Sequence, residues 1–242
     1  MRFKLEIALV LGLSLGKSAV YSIVSLITVL TSPSGLAGAK VTINRSVSAQ
    51  PVVDLIYQVL GIAFSLVPVA LCLYLLSDRG NPFKLIGFEA KPVAKNLVQG
   101  LSLAAAIGIP GLGLYLAARY LGLSAQIETS NLSAHWWTVP VLLLAAVGAA
   151  LLEEVIMVGY LFERLKQLGR SKWATILISA SIRGSYHLYQ GFGGFVGNLA
   201  MGVVFGYLYK KYGRLTPLVI AHFVLDAVSF VGYPLAQQFL PL

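Results

Sequence analysis

Five residues in the second half of the chain have the types and the spacing of a hydrolytic site. Glu153 and Glu154 are adjacent within a long apolar stretch, and His187, His222 and Asp226 follow in two later apolar stretches. A carboxylate or an imidazole can accept a proton from water, and nearby donors can stabilise the oxyanion that forms when this water attacks a carbonyl carbon. The pattern therefore indicates a water-activating site built from three segments.

The spacing within each segment predicts which side chains share a helix face. Positions i and i+4 lie on the same face of an α-helix. Arg183 is therefore expected beside His187, and His222 beside Asp226. If the three segments pack together, the acidic and imidazole groups can point into one interior cavity.

Placing two adjacent glutamates within an apolar membrane span costs free energy. One charge at the centre of a membrane span costs roughly 2.5–3.5 kcal/mol, and neighbouring carboxylates also repel each other. Adjacent helical positions point about 100° apart, so one glutamate can face a cavity while the other anchors the helix. The structural alternative is an ion pair with Arg183 or Lys17.

Other hydrolytic chemistries are less well supported. Ser185 lies near His187, but nothing in the sequence makes it the nucleophile of a serine-type triad. Glutamate and histidine can also bind Zn²⁺, yet the chain contains no His-Glu-x-x-His pair. We therefore expect no cofactor, and Zn²⁺ remains a weakly supported alternative.

The composition points to a bilayer as the solvent of the protein. The chain has 242 residues, of which 57% are hydrophobic and 11% are charged, whereas soluble domains average about 25% charged residues. We predict an all-α, polytopic transmembrane helix bundle that forms a single domain over residues 1–242, with its catalytic core helices at 137–238. About seven apolar segments are long enough to span the membrane, at residues 7–31, 51–76, 96–119, 137–162, 173–190, 193–210 and 215–238.

The basic residues predict the orientation of these spans. With the N-terminus in the cytoplasm, the outer loops hold only Lys40, Arg45 and Arg119, and nearly all other Lys and Arg residues outside the spans lie in cytoplasmic segments. This is the bias of the positive-inside rule. The net charge of +9 is thus explained by topology, and we expect no nucleic-acid partner.

Two further features of the sequence have structural interpretations that do not involve a functional site. Residues 32–50 are rich in Ser, Gly and Ala and are expected to be a flexible outer loop. Most aromatic side chains near span ends are expected to anchor the helices at the membrane interface; the set is Trp136, Trp137, Tyr186, Tyr189, Tyr207, Tyr209 and Tyr212.

The motifs together resemble those of the CPBP family of intramembrane proteases, also called the CAAX prenyl protease, bacteriocin-processing or abortive-infection family. That family carries Glu-Glu-x-x-x-Arg, then Phe-x-x-x-His, then His-x-x-x-Asn or Asp, on successive core helices. Glu153 and Glu154 match the first motif, His187 the second, and His222 with Asp226 the third. The resemblance covers roughly residues 137–230.

The resemblance implies a glutamate-dependent endopeptidase that cleaves a peptide or membrane-protein substrate. Glu153 and His187 would activate water, and Glu154 would orient the helix or assist. His222 and Asp226 would stabilise the oxyanion. The alternatives are a non-catalytic pseudoprotease that acts as an immunity or scaffold protein, and a proton-coupled transporter. The absence of an organelle signal is compatible with a prokaryotic plasma membrane.

Two positions depart from the family pattern. The motif arginine falls on Val158, and the motif phenylalanine falls on Arg183. We hypothesise that Arg183 replaces the missing arginine in space and pairs with Glu154. The departure at Val158 also favours the alternative of a pseudoenzyme.

The predicted span boundaries place Glu153 and His187 at different depths in the membrane. Glu153 lies nearer the cytoplasmic end of its span than His187 does, by about 9 Å at 1.5 Å per residue. The two side chains can meet only if the helix that carries Glu153 runs on into the cytoplasm. We therefore expect this helix to continue through residues 162–166.

Overall fold

The protein is a bundle of helices with one small sheet at its edge. The computed structural model describes residues 2–234. The helices are α1 (Arg2–Leu13), α2 (Leu15–Leu30), α3 (Gly35–Gly38), α4 (Pro51–Ser65), α5 (Val67–Leu76), α6 (Pro82–Leu85), α7 (Val93–Tyr120), α8 (Thr138–Glu153), α9 (Leu161–Gln167), α10 (Lys172–Tyr186), α11 (Phe192–Tyr212) and α12 (Thr216–Ala227). The strands are β1 (Lys40–Asn44) and β2 (Gln126–Ser130).

Several short helical segments join or extend these elements. Residues Glu154–Tyr160 form a wide π-helical segment between α8 and α9, and Val228–Gly232 form another after α12. Single 3₁₀ turns follow α5 at Ser77–Arg79 and α10 at Leu188–Gln190. The first π-helical segment begins at the predicted site residue Glu154, and the second begins two residues after Asp226.

Within residues 2–234, four continuous helices are long and apolar enough to cross a membrane, at Pro51–Arg79, Val93–Tyr120, Thr138–Gln167 and Phe192–Tyr212. They correspond to the second, third, fourth and sixth predicted spans. The first predicted span is a pair of helices bent by 55°, which makes a fifth candidate if the pair crosses as one. The protein is therefore an integral membrane protein, while seven spans and their orientation stay predictions.

The two remaining predicted spans are shorter helices. α10 has 15 residues and carries Arg183 in its last turn. The seventh predicted span corresponds to the apolar helix Thr216–Gly232, and residues 235–238 of that prediction lie outside the described part of the chain.

The helix Thr138–Gln167 lies at the centre of the bundle. In its most apolar window 61% of the residues are buried, compared with 11% for α7. The main hydrophobic core surrounds its π-helical segment, where Val155, Ile156, Met157 and Tyr160 have almost no exposed surface. A charged pair on this helix is therefore enclosed by protein and shielded from lipid.

The structure differs from the predicted fold in two places. The chain is mostly helical, as predicted, but β1 and β2 pair as parallel strands, with Val41 opposite Ile127. The segment 32–50, which was expected to be a flexible loop, contains α3 and β1. β-Branched residues in both strands favour the extended backbone, but the partners lie too far apart in sequence for a local pattern to reveal the pairing.

Close backbone contacts tie the ends of the helices together. Gly213, with a φ of 66°, ends α11, and the Leu215 amide then donates to the Gly87 carbonyl at 2.9 Å. A Cβ on Gly87 would lie 1.9 Å from the Gly213 carbonyl oxygen, so only glycine permits this approach. The contact fixes where α12 begins, and α12 carries His222 and Asp226.

Candidate active site

The three segments that carry the predicted residues meet in the interior of the bundle. Glu153 is the last residue of α8, and Glu154 begins the π-helical segment. Single π-helical turns occur frequently at functional sites. The Met157 carbonyl within this wide turn accepts a hydrogen bond from Ser179 Oγ at 2.8 Å, which fastens the segment to α10.

Glu154 is completely buried and joins α8 to two other helices. Its Oε1 atom lies 2.7 Å from Arg183 Nη2 and 2.7 Å from His222 Nδ1. The predicted ion pair between Arg183 and Glu154 is therefore confirmed. Val158, at the position of the family's arginine, is buried in the apolar core.

Arg183 contacts both glutamates. Its Nη1 atom lies 3.5 Å from Glu153 Oε2, and its guanidinium lies 5.6 Å from the centre of the Phe205 ring. A positive charge between two carboxylates offsets their mutual repulsion. Lys17, the other candidate partner, is exposed on α2 and forms no ion pair with either glutamate.

Glu153 faces the histidines. Its Oε1 atom is 3.8 Å from His187 Nε2, and its Oε2 atom is 4.0 Å from His222 Nε2. These separations are too long for direct hydrogen bonds. As expected for adjacent helical positions, one glutamate faces a polar interior space while the other anchors the helices. The predicted difference in depth between Glu153 and His187 is resolved as expected, because the helix that carries Glu153 runs without interruption to Gln167.

His222 is held between acidic groups. Its Nδ1 atom contacts Glu154, and its Nε2 atom lies 3.5 Å from Asp226 Oδ2 on the same face of α12. The ring is almost fully buried, while Asp226 is partly exposed. The predicted sharing of a face by His222 and Asp226 is confirmed.

His187 is flanked by aromatic rings at the end of α10. The ring centres of Tyr186 and Tyr189 lie 4.8 Å and 6.2 Å from its own. Gln190 Nε2 lies 3.4 Å from His187 Nδ1 and donates to the Tyr189 hydroxyl at 2.9 Å. These contacts hold the imidazole plane and leave Nε2 directed toward Glu153.

Sequence reasoning missed one residue of this cluster. Tyr186 was expected to anchor α10 at the membrane interface, but it is buried, and its hydroxyl donates to Glu153 Oε2 at 2.7 Å. The interpretation as an anchor was therefore wrong for Tyr186. Its place three residues after Arg183 and next to His187 was a signal for the inner face of α10.

Unpaired polar atoms are concentrated at this site. Among residues 2–234, four buried side-chain polar atoms have no hydrogen-bond partner, and three of them belong to Glu154, Arg183 and His187. Native structures contain few such atoms, and each needs an explanation. Buried polar groups that remain available for further hydrogen bonds suit a site that binds a polar substrate. Within the same residues, no three His, Cys, Asp or Glu side chains are arranged to hold a metal ion.

Comparison with protein-family models gives a match to part of the chain. Residues 135–228 match the model of the Rce1-like family, described as type II CAAX prenyl endopeptidase Rce1-like. This segment contains all the acidic and imidazole groups of the cluster, and the resemblance predicted from the motifs is confirmed for it. Comparison with curated proteins gave no match, and comparison with solved structures gave none. The match supports a membrane peptidase of the CAAX protease type.

Proposed function

We propose that this protein is a glutamate-dependent intramembrane endopeptidase. The observation that carries the proposal is the buried pair formed by Glu153 Oε1 and His187 Nε2, which lie 3.8 Å apart. A polar separation of this length suits a water molecule held by both groups. In the interior of a membrane protein, such a pair is a site for removing a proton from water.

The proposed reaction begins when this water attacks the carbonyl carbon of a peptide bond. Glu153 accepts the proton of the water as its oxygen bonds to carbon, and the carbonyl oxygen becomes an oxyanion. The tetrahedral intermediate then collapses, the carbon–nitrogen bond breaks, and Glu153 returns the proton to the leaving amine. Base and acid roles for one group are ordinary in hydrolysis.

His222 is the proposed oxyanion donor. When its Nδ1–H is bonded to Glu154, the imidazolium form presents Nε2–H toward the space beside Glu153. Asp226 adjoins the same nitrogen and stabilises that charged form of the ring. A fixed donor in a water-poor site stabilises developing negative charge strongly.

The test is cleavage of a fluorogenic, prenylated CAAX peptide by the full-length protein in liposomes. Removing the base or its partner with Glu153→Ala or His187→Ala is expected to lower kcat by about 10²- to 10⁴-fold. Glu89→Gln is the matched control, because Glu89 is exposed and outside the site. Equal cleavage by the wild type and both site variants would overturn the proposal.

Two further arms of this experiment separate related interpretations. A non-prenylated peptide of the same sequence tests whether the lipid chain is part of the substrate. Addition of a chelator tests for a metal requirement, and we expect no effect on the rate. Folded wild-type protein that cleaves neither peptide would favour the pseudoprotease interpretation.

We also propose that the peptidase acts in a prokaryotic plasma membrane, with its N-terminus in the cytoplasm. The bias of basic residues between the spans supports this orientation.

A further inference from the structure

A groove lined by hydroxyl groups lies on the surface of the bundle, beside the candidate active site. It has a volume of about 320 Å³ and is widely open, which places it at the lower end of the range of ligand-binding pockets. Every lining side chain carries a hydroxyl, and the residues are Ser18, Tyr21, Ser22, Ser25, Tyr186 and Tyr189.

Four of these residues form one polar face of α2. Their spacing places them on a single stripe of an α-helix. The other exposed side chains of this helix are largely apolar and include Val20, Ile23, Val24 and Ile27. A polar stripe on a helix that faces hydrocarbon is unfavourable unless it has a polar occupant.

The groove adjoins the reactive groups. Ser22 Oγ donates to the Tyr186 carbonyl at 2.8 Å, which fixes α2 against α10. On its other side, the Tyr186 hydroxyl is bonded to Glu153, and Tyr186 and Tyr189 flank His187. The groove and the site of the proposed reaction therefore share a wall of two tyrosines.

Hydrolysis of a peptide bond within a membrane requires an extended segment of substrate. The backbone N–H and C=O groups of such a segment have no helical partners, and each unpaired group in hydrocarbon costs several kcal/mol. A hydroxyl can both donate and accept a hydrogen bond. It can therefore pair with either backbone group, whatever the side chains of the substrate are.

The dimensions of the stripe fit this use. Ser18 and Ser25 are seven residues apart, about 10 Å along a helix. About three residues of an extended chain cover the same length. The hydroxyls of Ser18, Tyr21 and Ser25 form no hydrogen bond with any residue in the range 2–234.

We propose that this groove binds an extended backbone segment of the substrate polypeptide, which reaches it from the bilayer through the open side of the groove. This inference rests on the proposed function, because the occupant is the substrate of the same site. The groove recognises an unwound backbone, and side-chain preferences arise elsewhere.

The first test measures KM and kcat separately with the prenylated CAAX peptide. Tyr21→Phe, Ser18→Ala and Ser25→Ala are each expected to raise KM by about 3- to 10-fold, with kcat unchanged, because each removes one neutral hydrogen bond made in both the ground state and the transition state. Tyr74→Phe is the matched control, since Tyr74 is 74% exposed and Tyr21 is 71% exposed. Unchanged KM in all three groove variants would overturn the proposal.

The second test measures binding without catalysis. In the Glu153→Ala background, p-benzoylphenylalanine at position 21 is expected to form a photo-adduct with the peptide in liposomes, and the same group at position 74 is not. Adducts with lipid alone at position 21 would overturn the groove as a peptide site. If the wild type does not cleave the peptide, the proposed function fails, but this cross-linking result still decides whether the groove binds it.

Discussion

Among single residues, Arg183 supplies the cation that contacts both buried glutamates. The cost of two buried carboxylates required a cation, and Arg183 was the basic residue on a neighbouring core segment, so the pair with Glu154 could be predicted from the sequence. The role of Tyr186 was not predicted. A tyrosine near a span end can point outward or inward, and the rotation of α10 that decides this depends on its packing.

Arg183→Leu is expected to lower stability by about 3–5 kcal/mol, because it leaves buried carboxylates without their cation. Arg183→Lys keeps the charge but loses the planar fork that reaches both glutamates, so its effect should be smaller. Thermal unfolding in detergent measures both, with Arg170→Leu at an exposed site as the control.

Restoring an arginine at the family position tests the same idea in reverse. In the Arg183→Leu background, Val158→Arg should recover part of the lost stability, because position 158 lies close to one turn beyond Glu154. Absence of any recovery would contradict the hypothesis that Arg183 replaces the motif arginine.

Tyr186→Phe removes the hydrogen bond to Glu153 Oε2 while keeping the ring. We expect kcat to fall by about 3- to 10-fold, as for the loss of one hydrogen bond, with KM little changed because Tyr186 orients the carboxylate. Peptide cleavage measures this, and Tyr212→Phe, at an exposed position, provides the comparison. A change confined to KM would assign Tyr186 to substrate binding alone.

At the scale of elements, hydrophobicity predicted the long helices but not the irregular ones. Apolar length alone identifies a span, because the backbone must pair within itself in lipid. The break between α1 and α2 and the π-helical turn after Glu153 depend on tertiary contacts, such as the bond from Ser179 to the Met157 carbonyl. The strands are five residues each and pair across 86 positions, so no local window contains both.

Glu128 makes the small sheet sensitive to pH. The Thr42 hydroxyl donates to its carboxylate at 2.6 Å, and Lys40 donates at 3.0 Å. These bonds lower the pKa of Glu128 below its ordinary value of 4.5. A lowered folded-state pKa adds stability above pH 4.5, and this contribution is lost as the pH falls through the folded-state value.

The melting temperature of the wild type should therefore exceed that of Glu128→Gln at pH 7, and the difference should shrink below pH 4.5. Glu89→Gln, at an exposed glutamate, controls for the general effect of acid. A difference that stays constant down to pH 3 would contradict the assignment.

At the scale of the whole molecule, the connections between helices fall into two groups. Arg79, at the end of one span, pairs with Glu163 near the end of another, and Gly87 contacts the connection before α12. At the opposite end, β1 pairs with β2, and Ser124 bridges to Gly191. Connections divided in this way between two ends are expected if the seven predicted spans cross the membrane in alternating directions.

Single cysteines can test that topology, because the native Cys72 is fully buried. In right-side-out vesicles, an impermeant thiol reagent should label Arg45→Cys and Ser133→Cys but not Lys91→Cys or Arg170→Cys. The reverse pattern would invert the orientation, and labelling of only one member of a pair would contradict the number of crossings.

The bent first span also bears on the order of assembly during synthesis. Its polar contacts are with residues that are distant in sequence: Arg164 contacts Glu6 at 2.5 Å, and Ser22 donates a hydrogen bond to the Tyr186 carbonyl. When α1 and α2 leave the ribosome, those partners do not yet exist, so Glu6 has no cationic partner until α9 is made. Pairings of such high sequence separation slow folding. α1 and α2 are thus made before the helices that hold them, and the groove on α2 forms against α10 only after α10 has been made.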